Sequence, residues 1–500
     1  MVFSSTIFLF AFLPLILVCY FISPLRYRNC VLLVSSLLFY FWGENILVLL
    51  MLGSALIDYS CGIIIGRQSK SEAATLPHET KALRNRASRI ALAVSIGANL
   101  TILGVVKYSE FFRSTTSGLL ASFDVRPEFI STPLSIALPL GVSFYTFQSM
   151  SYTIDVYRDR LSPCRRLTDF LCYISMFPQL VAGPIVRYAD VCEDLQRSRR
   201  FDISEFSAGL ERFIMGLSKK VIIANTLAIP ADAIFDAQTS VAPAVAWFGV
   251  FCYSMQIYYD FSGYSDMAIG LGRIFGFRFP ENFNYPYTAQ SIQEFWRRWH
   301  MSLSTWFREY LYIPLGGNRH SKGRTAFNLF AVFALCGLWH GASLNFIAWG
   351  IFHGAFLSFE RTSIFKTIAR LGRVARHFYC LFVVMIGWVL FRCEDLAHVG
   401  RFLGSLFGLE KTSKVTFEQL SYFSDSYIQL TVVLSIALAG PYLINRLKNL
   451  SVWLLAKKSP GQLHHVFMDL GLAVYMVCIA LFSFMSISSQ THNPFIYFRF

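Results

Sequence analysis

Residues 325–359 read TAFNLFAVFALCGLWHGASLNFIAWGIFHGAFLSF and contain no Asp, Glu, Lys or Arg. About 20 apolar residues are enough to cross a bilayer, so a run of this length reads as membrane-inserted. Near its centre, within GLWHGASLNF (337–346), stands an imidazole, His340. Hydrocarbon offers that ring no water to bond, and an ionisable group at such depth points to function. The flanks say how the run is threaded. Residues 281–325 carry six bases and three acids, and residues 360–376 carry five bases and one acid. Basic loops face the cytoplasm, so both flanks lie on the same side. The run is too long for one untilted crossing and a little short for two. It predicts a re-entrant pair of helices turning near Gly341, with His340 at depth. One long tilted helix is the other open reading, and it shifts the topology by one crossing.

The rest of the chain fits the same class. Of its 500 residues 55% are hydrophobic, 49 are Phe and only 15% are charged, against about 25% charged in soluble proteins. Further apolar runs lie at about 5–23, 30–43, 46–65, 90–106, 131–153, 171–186, 213–235, 244–275, 377–392, 428–445 and 466–487. These predict an all-α polytopic membrane protein, one integrated domain over 1–500 with its core at roughly 131–392. The net charge of +14 suggests nucleic acid only in a soluble protein; here it matches basic cytoplasmic loops and anionic headgroups. The 11 Cys include no CxxC pair and no zinc spacing, and they scatter through apolar segments as small hydrophobes. No metal site is expected. The opening MVFSSTIFLFAFLPLILVCYFISPLRYR lacks a basic start and a small-residue cleavage site, so it reads as a retained first span. Basic loops at 66–89 and 446–465 place both termini outside.

Two regions of the middle depart from uniform spans. Residues 171–186 (LCYISMFPQLVAGPIV) are broken by Pro178, Gly183 and Pro184, and residues 213–235 are interrupted by Lys219 and Lys220. Broken segments survive at membrane depth only when buried in protein or lining a cavity. Residues 281–325 form a polar island containing EFWRRWHMSLSTWFREYLYIPLGGNRH. Phe295, Trp299, Leu303, Trp306, Phe307, Tyr310 and Leu311 recur at helical spacing, with Arg297 and Arg308 on the opposite face. The pattern predicts a helix in the membrane interface, aromatics in lipid and Arg toward headgroups. His300 sits beside the apolar stripe. His353 and His377 read as satisfied core histidines, and His320 as a loop residue. Asp260 and Asp266 read as members of structural ion pairs.

QIYYDFSGYSDMAIGLG (256–272), EFWRRWHMSLSTWFREYLYIPLGGNR (294–319) and LWHGASLNFIAWGIFHG (338–354) closely resemble the membrane-bound O-acyltransferase family, in its alginate O-acetyltransferase branch. LPLGVSFYTFQSMSYTIDVYR (138–158), FPQLVAGPIVRY (177–188) and the opening MVFSSTIFLF match the same branch. The resemblance covers nearly the whole chain. It implies a ring of transmembrane helices around a thin centre, with cytoplasmic and periplasmic funnels. It also implies that His340 matches the family's invariant histidine and His300 the second active-site position.

On that resemblance the expected activity is acyl transfer. A hydroxyl must lose its proton as it attacks, and an imidazole with an unperturbed pKa near 6.5 suits the task. His340 is the expected base, with His300 orienting or donating. Arg297 and Arg298 are candidates to meet the phosphates of a cytoplasmic donor such as acetyl-CoA; headgroup snorkelling is their alternative role. Related glycan-acylating systems have an aromatic tail whose tyrosine is proposed to carry the acyl group. Residues 488–500, SSQTHNPFIYFRF, resemble it on the outer face, with Tyr497 as candidate relay. A phenol with pKa near 10 leaves an ester more readily than a sugar alcohol does. An interfacial aromatic anchor is the alternative.

The leading expectation is an enzyme of the bacterial inner membrane. It moves acetyl groups to an exported polysaccharide (alginate, cellulose or peptidoglycan) with a periplasmic acetyltransferase partner and no permanently bound cofactor. D-alanyl or other acyl transfer to an envelope polymer is the second expectation. A non-catalytic acyl-group channel is the third.

Overall fold

The structure is a computed structural model and describes residues 2–67, 78–121, 123, 139–237, 239–365, 370, 372–410, 417–441 and 462–489. Every regular element among them is helical. Five helical stretches are long and apolar enough to cross a membrane: Leu25–Gly66, Asn85–Ser117, Ile203–Phe235, Arg373–Arg392 and Leu470–Ser489. Shorter apolar helices at Phe8–Ile22, Leu344–Phe359 and Ser426–Leu438 add to them. The chain is an all-α, multi-pass membrane protein. By contact density it divides into two compact units.

The first unit comprises Met1–Ser207 with Leu271–Pro280 and Arg308–Leu311. In it the helix Val48–Gly66 packs on His78–Ala121 and on Val142–Tyr157. A polar seam joins these three apolar helices. Asn99 Nδ2 donates to both oxygens of Asp58, at 3.0 and 2.8 Å, and Ser95 Oγ donates to Asp58 at 2.5 Å. Ser95 Oγ also lies 2.8 Å from Thr153 Oγ1. Interhelical hydrogen bonds of this kind join helices that lipid tails do not push together. The broken stretch 171–186 behaves as expected. The helix Leu167–Ser175 stops, a short turn Phe177–Leu180 follows, and residues 181–186 are irregular and buried in protein.

The second unit comprises Ala208–Gly270, Glu281–Phe307 and Tyr312–Phe500. The charge-free run folds as a helical hairpin: Lys322–His340 breaks at Gly341 and the chain turns back as Leu344–Phe359. The two helices pack against each other, backbone on backbone. A Cβ on Gly337 would lie 2.1 Å from Phe346 O, and one on Gly350 2.1 Å from Phe333 O. The pair of helices, not the single tilted one, is the observed form.

Lys219 and Lys220 fall in a π-helical turn, Lys219–Ala224. Lys220 Nζ pairs with Asp260 at 2.7 Å, both buried, and Lys219 Nζ pairs with Asp266 at 2.6 Å, which Arg212 also meets at 2.8 Å. Asp260 and Asp266 are therefore ion-paired, as their sequence setting indicates.

The polar island differs from expectation in two ways. It is not one helix but two short ones, Ile292–Arg298 and Met301–Phe307, with a kink at Trp299 and His300. Its aromatics do not face lipid: Phe295, Trp296, Trp299, Trp306, Phe307 and Tyr310 are all buried in protein. Helical spacing of aromatics reports an apolar environment, and a protein interior meets that demand as well as hydrocarbon does. Arg297 and Arg308 do stay on the exposed side.

Candidate active site

Both singled-out histidines lie in the second unit, and the fold brings them onto one indole. His340 is the last residue of the helix Lys322–His340 and is 4% exposed. Its ring packs edge-on against Trp349 at 5.2 Å and Phe391 at 5.2 Å, and against its neighbour Trp339 at 4.9 Å. The hairpin supplies Trp349 from the returning helix, and Arg373–Arg392 supplies Phe391. His300 packs on the same Trp339 at 6.3 Å, and edge-on against Phe261 at 4.6 Å.

His300 is 1% exposed and sits at the kink with φ +42°. A non-glycine residue in this region costs on the order of 1–3 kcal/mol, and such strain persists only where the surroundings over-determine it. Here a loop does so. Asn284 N donates to Arg298 O and Met301 N donates to Asn282 O, each at 2.9 Å, so the backbone on both sides of the kink is tied to residues 282–284.

Asn282 also decides the tautomer. Its side-chain oxygen lies 3.0 Å from His300 Nδ1 and accepts from Ser302 N at 3.3 Å and Ser302 Oγ at 2.9 Å. A backbone N–H can only donate, so the atom facing it is the amide oxygen. Its amide nitrogen, on the other side, donates to Ser265 Oγ at 3.0 Å. His300 Nδ1 therefore carries the proton. Nε2 is left with a lone pair, buried and with no hydrogen-bond partner among the described residues. Burial pushes the imidazole down to about 3, which keeps it neutral. In this state His300 offers an acceptor from Nε2 and not a donor.

Asn282, Ser265 and Ser302 were not singled out in the sequence. Replacing Asn282 by Leu takes away the oxygen that His300 Nδ1–H meets at 3.0 Å and leaves that ring only the longer contact with Ser302 Oγ at 3.4 Å. An unsatisfied buried donor costs about 1–3 kcal/mol, so Asn282→Leu is expected to lower the thermal unfolding midpoint in detergent. Asn282→Asp keeps the accepting oxygen but buries a carboxyl group, which costs least when its second oxygen is protonated and donates to Ser265 Oγ; its loss is expected to be the smaller of the two. Equal loss in both variants removes the acceptor role from Asn282.

The remaining candidates separate. Arg298 is engaged, pairing with Glu294 at 2.8 Å and donating to Asn284 O at 3.2 Å. Arg297 is exposed and has no ion pair among the described residues. His377 is satisfied, with Nδ1 3.0 Å from Ala289 O, and His320 lies in a loop. His353 is not satisfied in the sense expected. It is buried among Trp296, Trp349 and Phe352, and its Nδ1 has no hydrogen-bond partner among the described residues. Tyr497 lies outside the described residues. Among those described, no group of three or more His, Cys, Asp or Glu is placed to hold a metal ion.

Comparison with known proteins gives the family. The chain is 39% identical, over 100% of both lengths, to the probable alginate O-acetylase AlgI of Pseudomonas putida. It is 33% identical to the peptidoglycan O-acetyltransferase of Helicobacter pylori, over 87% of this chain and 86% of that one. With the teichoic acid D-alanyltransferase of Bacillus subtilis it shares 32% identity over 42% of this chain and 55% of the other. Residues 133–398, which include His300, His340 and Asn282, match the model of the membrane-bound O-acyltransferase family. The chain belongs to that family of acyltransferases.

Proposed function

We propose that this protein transfers acetyl groups from a cytoplasmic donor, acetyl-CoA, for O-acetylation of an exported polysaccharide, and that His340 and His300 form its reaction centre in a bacterial inner membrane. The observation that carries the reading is the pair of buried imidazoles packed on one indole, one of them fixed as an acceptor by Asn282. The extended similarity to O-acetylases over the full chain supports acetate as the cargo. The teichoic acid enzyme is similar over less than half of the chain.

In the chemistry proposed, a hydroxyl oxygen attacks the thioester carbonyl. A C–O bond forms, the C–S bond breaks, and the hydroxyl proton leaves through an imidazole to the departing sulfur. His340 takes that proton. His300 accepts a hydrogen bond at Nε2 from a second donor on the incoming substrate and so aligns the attacking hydroxyl, whose single proton goes to His340; a buried lone pair can be satisfied only by a donor that enters the site. Arg297, exposed and without an ion pair among the described residues, is the cation available to a donor phosphate.

The attacking hydroxyl belongs either to the polymer, with a periplasmic acetyltransferase partner, or to Tyr497. In the second case the ester on Tyr497 passes its acetyl group onward. Tyr497→Phe keeps the ring and removes the hydroxyl. On the relay route it is expected to reduce polymer acetylation to background at an unchanged protein level. Unchanged acetylation removes Tyr497 from the route. The overall reading is tested by mass spectrometry of the exported polymers from cells with and without the protein. Loss of ester-linked acetate is expected. Loss of D-alanine esters instead moves the protein to the second class of donor.

A further inference from the structure

The first unit holds a cavity of about 280 Å³ that the reaction centre does not use. It lies between the end of the helix Leu13–Ile22, the start of the helix Arg28–Glu44 and the extended residues 197–202. Six arginines line it: Arg28, Arg197, Arg199, Arg200, Arg273 and Arg278. Among the described residues only two carboxylates do, Asp202 and Glu205. Glu205 is taken by Arg273 at 2.9 Å and Arg278 at 3.5 Å, and Arg197 pairs with Asp194 at 2.8 Å. Asp202 turns its carboxylate to Ser204 N at 2.9 Å and Ser204 Oγ at 2.6 Å. Arg28, Arg199 and Arg200 have no carboxylate within 4.0 Å among the described residues.

Two of these three are deep. Arg28 and Arg199 are each 6% exposed. Their hydrogen bonds go to neutral groups. Arg199 donates to the Tyr20 hydroxyl at 3.1 Å, to Asp194 O and to Asn29 Oδ1, and it lies 4.4 Å over the Phe277 ring. Arg28 donates to Arg199 O and stacks 4.9 Å over Tyr20, and its Nε has no hydrogen-bond partner among the described residues. Carbonyls and rings orient a guanidinium but do not cancel its charge. A buried charge is costly unless it is paired with one of opposite sign. An oxyanion is the missing element, and the planar fork of arginine fits phosphate.

The setting selects the kind of phosphate. The apolar helix Phe8–Ile22 ends at this cavity and the stretch Leu25–Gly66 begins at it, which is the depth of lipid headgroups. Large apolar side chains stand exposed around the arginines: Ile22, Leu25, Tyr27, Phe201 and Ile203. A free phosphate has no use for them, whereas acyl chains do. We propose that this cavity binds the phosphate of an anionic membrane phospholipid, with Arg28, Arg199 and Arg200 on the headgroup and the apolar rim along the chains.

The test uses the full-length protein in neutral detergent micelles, with bound lipid read by native mass spectrometry. Phosphatidylglycerol, phosphatidylcholine, glycerol 3-phosphate and inorganic phosphate are titrated in parallel. Saturable retention of phosphatidylglycerol is expected, with binding weakened about tenfold in Arg28→Gln. Arg28 is buried, so that variant can fail to fold. Arg200→Glu reverses an exposed charge and is expected to weaken binding at least about fivefold, since one cation at a headgroup is worth about 1 kcal/mol. Equal phosphatidylglycerol binding by wild type and Arg200→Glu overturns the proposal. So does binding of either soluble phosphate as tightly as the lipid, and so does equal retention of phosphatidylcholine.

Discussion

His340→Ala is expected to lower polymer O-acetylation by about 10²–10⁴-fold, the range that a positioned acid or base contributes. Protein level and membrane insertion are expected to hold, because the ring is walled by Trp339, Trp349 and Phe391, which remain in place. His340→Gln is the sharper variant. It keeps a polar side chain of similar reach but no group that takes and returns a proton near neutral pH. The measurement is ester-linked acetate on the exported polymer, normalised to protein in the membrane fraction. Acetylation retained in His340→Gln sinks the catalytic role and returns the protein to the class of passive acyl-group channels. His300→Gln is the companion. If His300 aligns the hydroxyl and does not take its proton, its loss is expected to be the smaller of the two.

Gly337→Ala is expected to disrupt the hairpin. Its added methyl lies 2.1 Å from the Phe346 carbonyl oxygen, and what it meets is backbone, which cannot rotate aside. Overpacking a tight contact costs about 1–3 kcal/mol, occasionally more, and a backbone neighbour puts this site at the upper end. Gly350→Ala meets Phe333 O at the same distance and is expected to act alike. Gly323→Ala, with open space around its Cβ, is the control. Thermal unfolding in detergent should fall for the first two and hold for the third. Equal midpoints in all three would show that the helices part without cost.

The hairpin was readable because two independent signals agree on it. A charge-free run of that length has few places to go, and basic flanks at both ends return it to the side it left. The break at 171–186 was readable for a similar reason, since Pro178 and Pro184 cannot continue a helix. The kink at His300 was not. Its aromatics keep helical spacing through the break, and neither Trp299 nor His300 is a residue that ends helices. The environment of those aromatics was misread because periodicity measures apolarity and not what supplies it. Asn282 was unreadable for a different reason. Its role comes from an oxygen that meets a ring 18 positions later in the chain, and no local pattern marks such a pairing. The two candidate arginines looked equivalent as neighbours in sequence; an i,i+4 partner, Glu294, occupies one and not the other.

The hairpin also bears on how the protein is made. Its helices have 19 and 16 residues, which at 1.5 Å per residue is about 28 and 24 Å. Both are shorter than a hydrocarbon core of about 30 Å. They enter most readily as a couple, zipped along their glycines, and closing a loop of three residues costs little chain entropy. His340 rides at the joint of that couple. Its place is therefore set by a contact between helices that are neighbours in sequence, and Phe391, from the next long helix, packs against the ring that this couple presents.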